Sequence, residues 1–233
     1  MPKHIGIAGV TAEGAALCYR TICQEGPLQA GSAGPYEHPE VTLHTFPLSQ
    51  YMAGIESGDW DGVGSLLLSS ARKLAEAGAA FAICPDNTAH QGLELIRGQS
   101  PIPWLHIAEE IAAIAAEREY GKVGVLGTQW LMEGPVYSKA LAAKGIESMV
   151  PEREVRRRLS DMIMSELVAG VFKDATRRYF QDSIGDFQRN GCEAVVLGCT
   201  EIPILIEQKD SPLPILDSTR TLARAALRKA AQD

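Results

Sequence analysis

The 233-residue sequence contains no apolar run long enough to span a bilayer, and its start, MPKHIGIAGVT, lacks a signal-peptide pattern. It has no CxxC pair, and none of its five cysteines (Cys18, Cys23, Cys84, Cys192 and Cys199) stands near a histidine at metal-ligand spacing. An odd handful of thiols of this kind fits a reduced, cytosolic protein better than a disulfide framework. Positive charge is also scarce. Lys and Arg number 22 against 29 Asp and Glu, a net charge of −7, so no broad basic field exists for nucleic acid or an anionic membrane. The local basic run Arg153, Arg156, Arg157, Arg158 is broken by Glu152 and Glu154 and reads as a solvated helix face.

What remains is an ordinary globular composition, 45% apolar and 22% charged. Short apolar, β-rich runs alternate with longer helical patterns. The strand candidates are HIGIAG, VTLHTF, AFAIC, PWLHI, KVGVLG, ESMVP, AVVLGC and PILDS. Helix-like stretches such as GDWDGVGSLLLSSARKLAEAG and GPVYSKALAAKG lie between them and stop at glycine. The segment EGPLQAGSAGPYEHPE, residues 25–40, is rich in turn formers and reads as an exposed loop. Alternation of this kind predicts an α/β fold with parallel sheets covered on both faces.

The chain also repeats itself. GIAGVTAEG near the start resembles GVLGTQWLMEG at 124–134, and AFAICPDNT resembles AVVLGCTE. Two four-stranded α/β lobes would each bring one such strand end to a shared cleft, and ligands of parallel sheets bind at the carboxyl ends of the strands. The lobes are expected at 1–101 plus 209–233 and at 102–208.

These words resemble the aspartate/glutamate racemase family, which works without pyridoxal phosphate. GIAGVTAEGAALCYRTI is similar to the family's Gly-rich start, and DWDGVGSLLLSSARKLAEAGAAFAI to the segment that leads into the first active-site strand. NTAH, VGVLGT and LGCTEIP follow in the family's order over nearly the whole length. The resemblance implies two lobes related by pseudo-twofold symmetry, an active site between them, no cofactor and a homodimer. It also implies one proton-transfer side chain from each lobe, normally a cysteine in both. The second maps onto Cys199. The first stands immediately before Asn-Thr, and that position here is Asp86.

The repeat, taken alone, leads to the same register. Laying AICPD on VLGC pairs Asp86 with Cys199 and Pro85 with Gly198, and leaves Cys84 inside the strand. Residues two apart on a strand are roughly 6–7 Å from one another. Proton transfer needs heavy atoms about 2.6–3.2 Å apart, so Cys84 and Asp86 cannot share a role. Cys84 therefore reads as a buried structural thiol, unless Pro85 shifts it toward the cleft.

By the same resemblance, Asn87, Thr88, Thr200 and Glu201 hold the substrate's α-carboxylate and amino group, with Thr128 and Thr11 as further candidates. Asn87, Thr88 and Thr128 are equally well read as helix caps. His90 reads as a loop-orienting residue more than a catalyst, and His106 as packing. Members acting on aspartate carry an Arg near the place of Gln50 and a Lys at the place of Ala169, so the cationic clamp for a side-chain carboxylate is missing here. Lys173 or an Arg of the basic run are the candidates to replace it. The leading expectation is a small-molecule isomerase, a cofactor-independent amino-acid racemase or epimerase using Cys199 and Asp86. Its alternatives are a single-cysteine decarboxylase or cis-trans isomerase of a small dicarboxylate, and a binding protein without turnover.

Overall fold

The computed structural model describes residues 2–29 and 37–232. In chain order the elements are β1 (Ile5–Gly9), α1 (Ala12–Gln29), β2 (Val41–Thr45), α2 (Leu48–Ser57), α3 (Trp60–Glu76), β3 (Phe81–Ile83), α4 (His90–Ile96), β4 (Trp104–Leu105) and α5 (Ile107–Glu117). They continue as β5 (Lys122–Leu126), α6 (Gln129–Glu133), α7 (Val136–Ala142), β6 (Glu147–Met149), α8 (Arg153–Ser165), α9 (Asp174–Arg189), β7 (Ala194–Leu197), α10 (Ile202–Leu205), β8 (Ile215–Asp217) and α11 (Ser218–Ala230). All eight apolar runs read from the sequence are strands. The two helical stretches form α3 and α7, closed by Gly78 (φ 92°) and Gly145 (φ 73°) in the left-handed region where glycine carries no steric penalty.

Two four-stranded parallel sheets result, in the orders β2-β1-β3-β4 and β6-β5-β7-β8. In each, the two central strands are almost wholly buried while the edges are partly exposed. That is the pattern of a parallel sheet sandwiched by helices. The first sheet's core joins Ile5, Ile7, Phe81 and Ile83 to Leu222, Ala226 and Leu227 of α11. The second joins Val195 and Leu197 to Leu159, Ile163, Phe180, Ile184 and Phe187 of α8 and α9.

The compact units are residues 1–110 with 219–233, and residues 111–218. Both boundaries fall later in the chain than the sequence placed them. The reason is strand pairing. β4 hydrogen-bonds to β3 and so stays with the first sheet, and β8 hydrogen-bonds to β7 and so stays with the second. The loop expected at 25–40 is shorter than it looked: α1 runs on through Pro27 to Gln29, and residues 30–36 lie outside the described residues. Among the described residues, no helix is long and apolar enough to cross a membrane.

Close backbone approach sets one helix pair. An added Cβ on Gly64 of α3 would lie 2.7 Å from the Gly92 carbonyl oxygen, and one on Gly92 of α4 would lie 2.6 Å from the Gly64 nitrogen. The two glycines let α3 and α4 touch backbone to backbone. That contact fixes the start of α4, and with it the loop that leaves β3.

Candidate active site

In each sheet the strand order reverses at the central pair, β1/β3 in the first and β5/β7 in the second. Loops that leave the carboxyl ends of strands at such a reversal flank the natural ligand crevice of an open parallel sheet. The sequence candidates sit on these four loops. Thr11 follows β1 and Asp86, Asn87 and Thr88 follow β3; Thr128 follows β5 and Cys199, Thr200 and Glu201 follow β7. Gln50 lies elsewhere, exposed on α2.

In the first unit, Asp86 Oδ1 accepts the Ala89 N–H at 2.8 Å, so its carboxylate caps the turn that opens α4. The Asp86 carbonyl accepts Nδ1–H of His90 at 2.6 Å. The other ring nitrogen, Nε2, accepts the Ile107 N–H at 3.2 Å, which fixes the tautomer. His90 is completely buried, and that burial, with the neighbouring His106, holds its pKa well below the ordinary histidine value. It is a neutral clamp binding the β3 loop to the start of α5. His106 stacks edge-on against it with ring centroids 4.4 Å apart, and is itself buried.

An expected pH dependence follows. The unfolded chain protonates this imidazole near the ordinary ~6.5, whereas the folded chain resists protonation until far lower. Below pH ~6.5 the unfolded state binds the extra proton, so stability falls as pH drops, by up to about 1.4 kcal/mol per unit from this group. His106 acts in the same sense, its pKa lowered mainly by burial. Urea midpoints between pH 7 and pH 5 should fall steeply for the wild type and less steeply for His90→Asn.

Cys84 is sealed. It has no exposed surface, its S–H points at the Asp86 carbonyl at 3.9 Å, and burial followed by the Asp86 charge pushes its pKa well up. Such a thiol is neither nucleophile nor base. Cys84→Ser is expected to change turnover by less than about threefold, against the 10²–10⁴-fold loss that a proton-transfer group would show. Asn87 and Thr88 are buried beside Asp86. Thr11 caps α1 through the Gly14 N–H at 3.2 Å.

In the second unit, Gly198 N–H donates to the Leu126 carbonyl at 2.7 Å, drawing the β7 loop against β5. A Cβ at Gly198 would lie 2.6 Å from Leu131 Cδ2 and 2.8 Å from the Leu126 oxygen, so only glycine fits before Cys199. The half-buried Cys199 thiol then donates to Glu201 Oε2 at 2.9 Å, and the Thr200 hydroxyl donates to the same oxygen at 2.8 Å. Glu201 is 1% exposed, so its carboxylate is turned onto the thiol. A carboxylate there fixes the S–H direction. Thr128 caps α6 through the Leu131 N–H at 3.4 Å.

Three of the cations that might have replaced a clamp are engaged. Lys173 pairs with Glu166 at 3.0 Å, Arg156 donates to the Pro151 carbonyl at 2.8 Å, and Arg158 lies over the Tyr179 ring. Among the described residues, no group of three His, Cys, Asp or Glu side chains could hold a metal. Sequence reading did not single out His44 and Ser70, which hydrogen-bond at 3.0 Å between β2 and α3, or the buried Tyr51 on α2. Tyr51 is the neighbour of the exposed Gln50, and only the helical phase of α2 distinguishes the two.

The Asp/Glu/Hydantoin racemase family model matches residues 8–226. The chain is 24% identical over 198 residues to the broad specificity amino-acid racemase RacX of Bacillus subtilis, covering 84% of each. Among solved structures it is similar to a putative Asp/Glu racemase from Yersinia pestis, with TM-score 0.89 and 29% identity over 99% of this chain and 100% of that one. An aspartate racemase homologue from Pyrococcus horikoshii gives TM-score 0.82 and 28% identity, with both chains fully covered. A family match over nearly the whole chain, with the thiol, its glycine and both strand reversals in place, means that the protein belongs to the Asp/Glu/hydantoin racemase family, a family of isomerases.

Proposed function

We propose that this protein is a cofactor-independent amino-acid racemase or epimerase that moves the Cα proton between Cys199 and Asp86. The observation that carries the reading is the partly exposed Cys199 thiol held on a buried carboxylate beyond the carboxyl end of β7. One of the two groups takes the Cα proton, the electron pair stays on the substrate as a carbanion, and the other group returns a proton to the opposite face. Asn87, Thr88, Thr128, Thr200 and Thr11 supply hydroxyl and amide donors suited to an α-carboxylate. Glu201 acts on the thiol, and Gln50 offers an amide where aspartate-specific relatives carry a cation. The substrate then has no need of a second carboxylate. A cytosolic homodimer goes with this reading.

A single-thiol lyase or isomerase of a small dicarboxylate is the second reading, favoured by the sealing of Cys84, which leaves no thiol at the β3 loop. Incubation with the ordinary amino acids and with malonate in deuterium oxide separates the two. Deuterium at Cα with inversion supports racemisation. Release of carbon dioxide from malonate with no exchange into any amino acid would overturn it.

A further inference from the structure

At the β2 edge of the first sheet, side chains of β2 and α3 form an unbroken hydrogen-bonded line. It begins at the exposed Lys73 of α3, whose Nζ lies 3.0 Å from Nε2 of His44 on β2. A protonated lysine can only donate, so Nε2 accepts and the imidazole hydrogen sits on Nδ1. From there it is donated to Ser70 Oγ at 3.0 Å. Ser70 has no exposed surface. Phe46 closes the group: its ring stands edge-on to His44 with centroids 4.8 Å apart, and Lys73 Nζ lies 4.4 Å from its centre. Burial, followed by the Lys73 charge, lowers the pKa of His44, which keeps the ring neutral and its Nε2 lone pair available.

Other lysines are held differently. Lys122, Lys173 and Lys209 rest on the carboxylates of Glu147, Glu166 and Glu207 at 2.9, 3.0 and 2.7 Å. A carboxylate favours the charged ammonium, and it holds Lys122 and Lys209 above the ordinary lysine value. Lys73 has a neutral base in that place. A nucleophile within hydrogen-bond reach of a base, with the base oriented by a third group, is the arrangement that equips a side chain for covalent chemistry. Here the nucleophile is the amine of Lys73, the base is His44 and the orienting group is Ser70.

We propose that Lys73 is an acyl-accepting lysine, a modification site that takes an acyl group from an activated donor, an acyl phosphate or a thioester. Solvent first removes one proton from the ammonium. The amine lone pair then bonds to the acyl carbon while the carbonyl π pair moves onto oxygen. The nitrogen of this adduct is positively charged and strongly acidic, and His44 Nε2 takes one of its protons. Collapse re-forms the carbonyl and breaks the bond to the leaving group, which departs with its electron pair as phosphate or thiolate. The imidazolium gives its proton to solvent, and Lys73 is left as an uncharged amide. Ser70 is a positioning residue that acts through His44. Acylation of this kind is independent of racemisation, and its test needs no turnover.

The full chain is exposed to low concentrations of acetyl phosphate or, separately, of an acetyl thioester, and acetylated peptides are quantified by mass spectrometry over time. Lys73 is expected to react about tenfold or more faster than the exposed Lys139 and Lys144 with at least one donor, and the two arms show which leaving group is accepted. His44→Gln, whose amide can accept the Lys73 N–H but cannot take up a proton, should bring Lys73 down to the rate of Lys139. Lys139 and Lys144 should keep their rates, which with circular dichroism controls for folding. Ser70→Ala should slow Lys73 and populate both His44 tautomers in nitrogen-15 NMR spectra, and Ser70→Thr should restore both properties. A Lys73 rate no higher than those of Lys139 and Lys144 with either donor, or one unchanged in His44→Gln, overturns the assignment.

Discussion

Cys199→Ser is expected to lower racemisation by at least about 10³-fold while leaving the fold intact, and Asp86→Asn by about 10²-fold or more. The serine hydroxyl can occupy the same hydrogen bond to Glu201, so the loss would come from chemistry and not from packing. Serine is far less acidic than cysteine, and the base that attacks Cα is the ionised form. Steady-state rates from both enantiomers, with circular dichroism as the control on folding, check this pair of variants. Full activity in Cys199→Ser would refute a thiolate mechanism of any kind.

The proposed pairing of Asp86 with Cys199 has a further consequence for those measurements. A carboxyl and a thiol differ in intrinsic acidity, so the two reactive forms of such a pair are unequal. One enantiomer meets its reactive form ready-made and the other must wait for the minor one. Free enantiomers are nevertheless equal in energy, so kcat/KM must be the same in both directions. The asymmetry is confined to kcat and KM separately. A symmetric pair of thiols would show no such split.

The second large effect concerns packing. Gly92→Ala is expected to destabilise the protein by about 3 kcal/mol, the upper part of the range for an overpacked contact. The new methyl would meet backbone, with the Gly64 nitrogen at 2.6 Å and the Trp60 oxygen at 2.9 Å, and backbone cannot rotate aside as a side chain can. Because α4 starts four residues beyond Asp86, relief of the clash must displace the loop that carries the carboxylate. Activity should therefore fall at temperatures where the protein is still folded. Urea unfolding with parallel activity assays tests both halves of this expectation. Gly58→Ala, with open space around the new Cβ but a φ of 74°, should cost only about 1 kcal/mol and spare activity.

Much of the fold is legible in the chain itself. The eight strands announce themselves because each is a short apolar run closed by turn formers. The burial of Cys84 follows from simple counting along a strand. The rest needs three dimensions. His44 on β2 and Ser70 on α3 meet at 3.0 Å only once the first sheet and its helices have packed. Glu201 stands next but one to Cys199 in sequence, yet whether its carboxylate turns to the thiol or to a ligand is a rotamer choice that sequence does not encode. The lobe boundaries differ from expectation for a related reason: β4 is two residues long, and β8 three, so their affiliation shows only in their hydrogen bonds.

The division of the chain also bears on synthesis. The unit of residues 111–218 is one continuous stretch, whereas the other begins the chain and is completed by residues 219–233. Helix α11 puts Leu222, Ala223, Ala226 and Leu227 under β1 and β3, and the Lys3 N–H is bonded to the Ala230 carbonyl at 2.8 Å. On the ribosome, the half that emerges first can therefore finish folding only after the half that emerges second. Until then the apolar residues of β1 and β3 that α11 covers stay exposed.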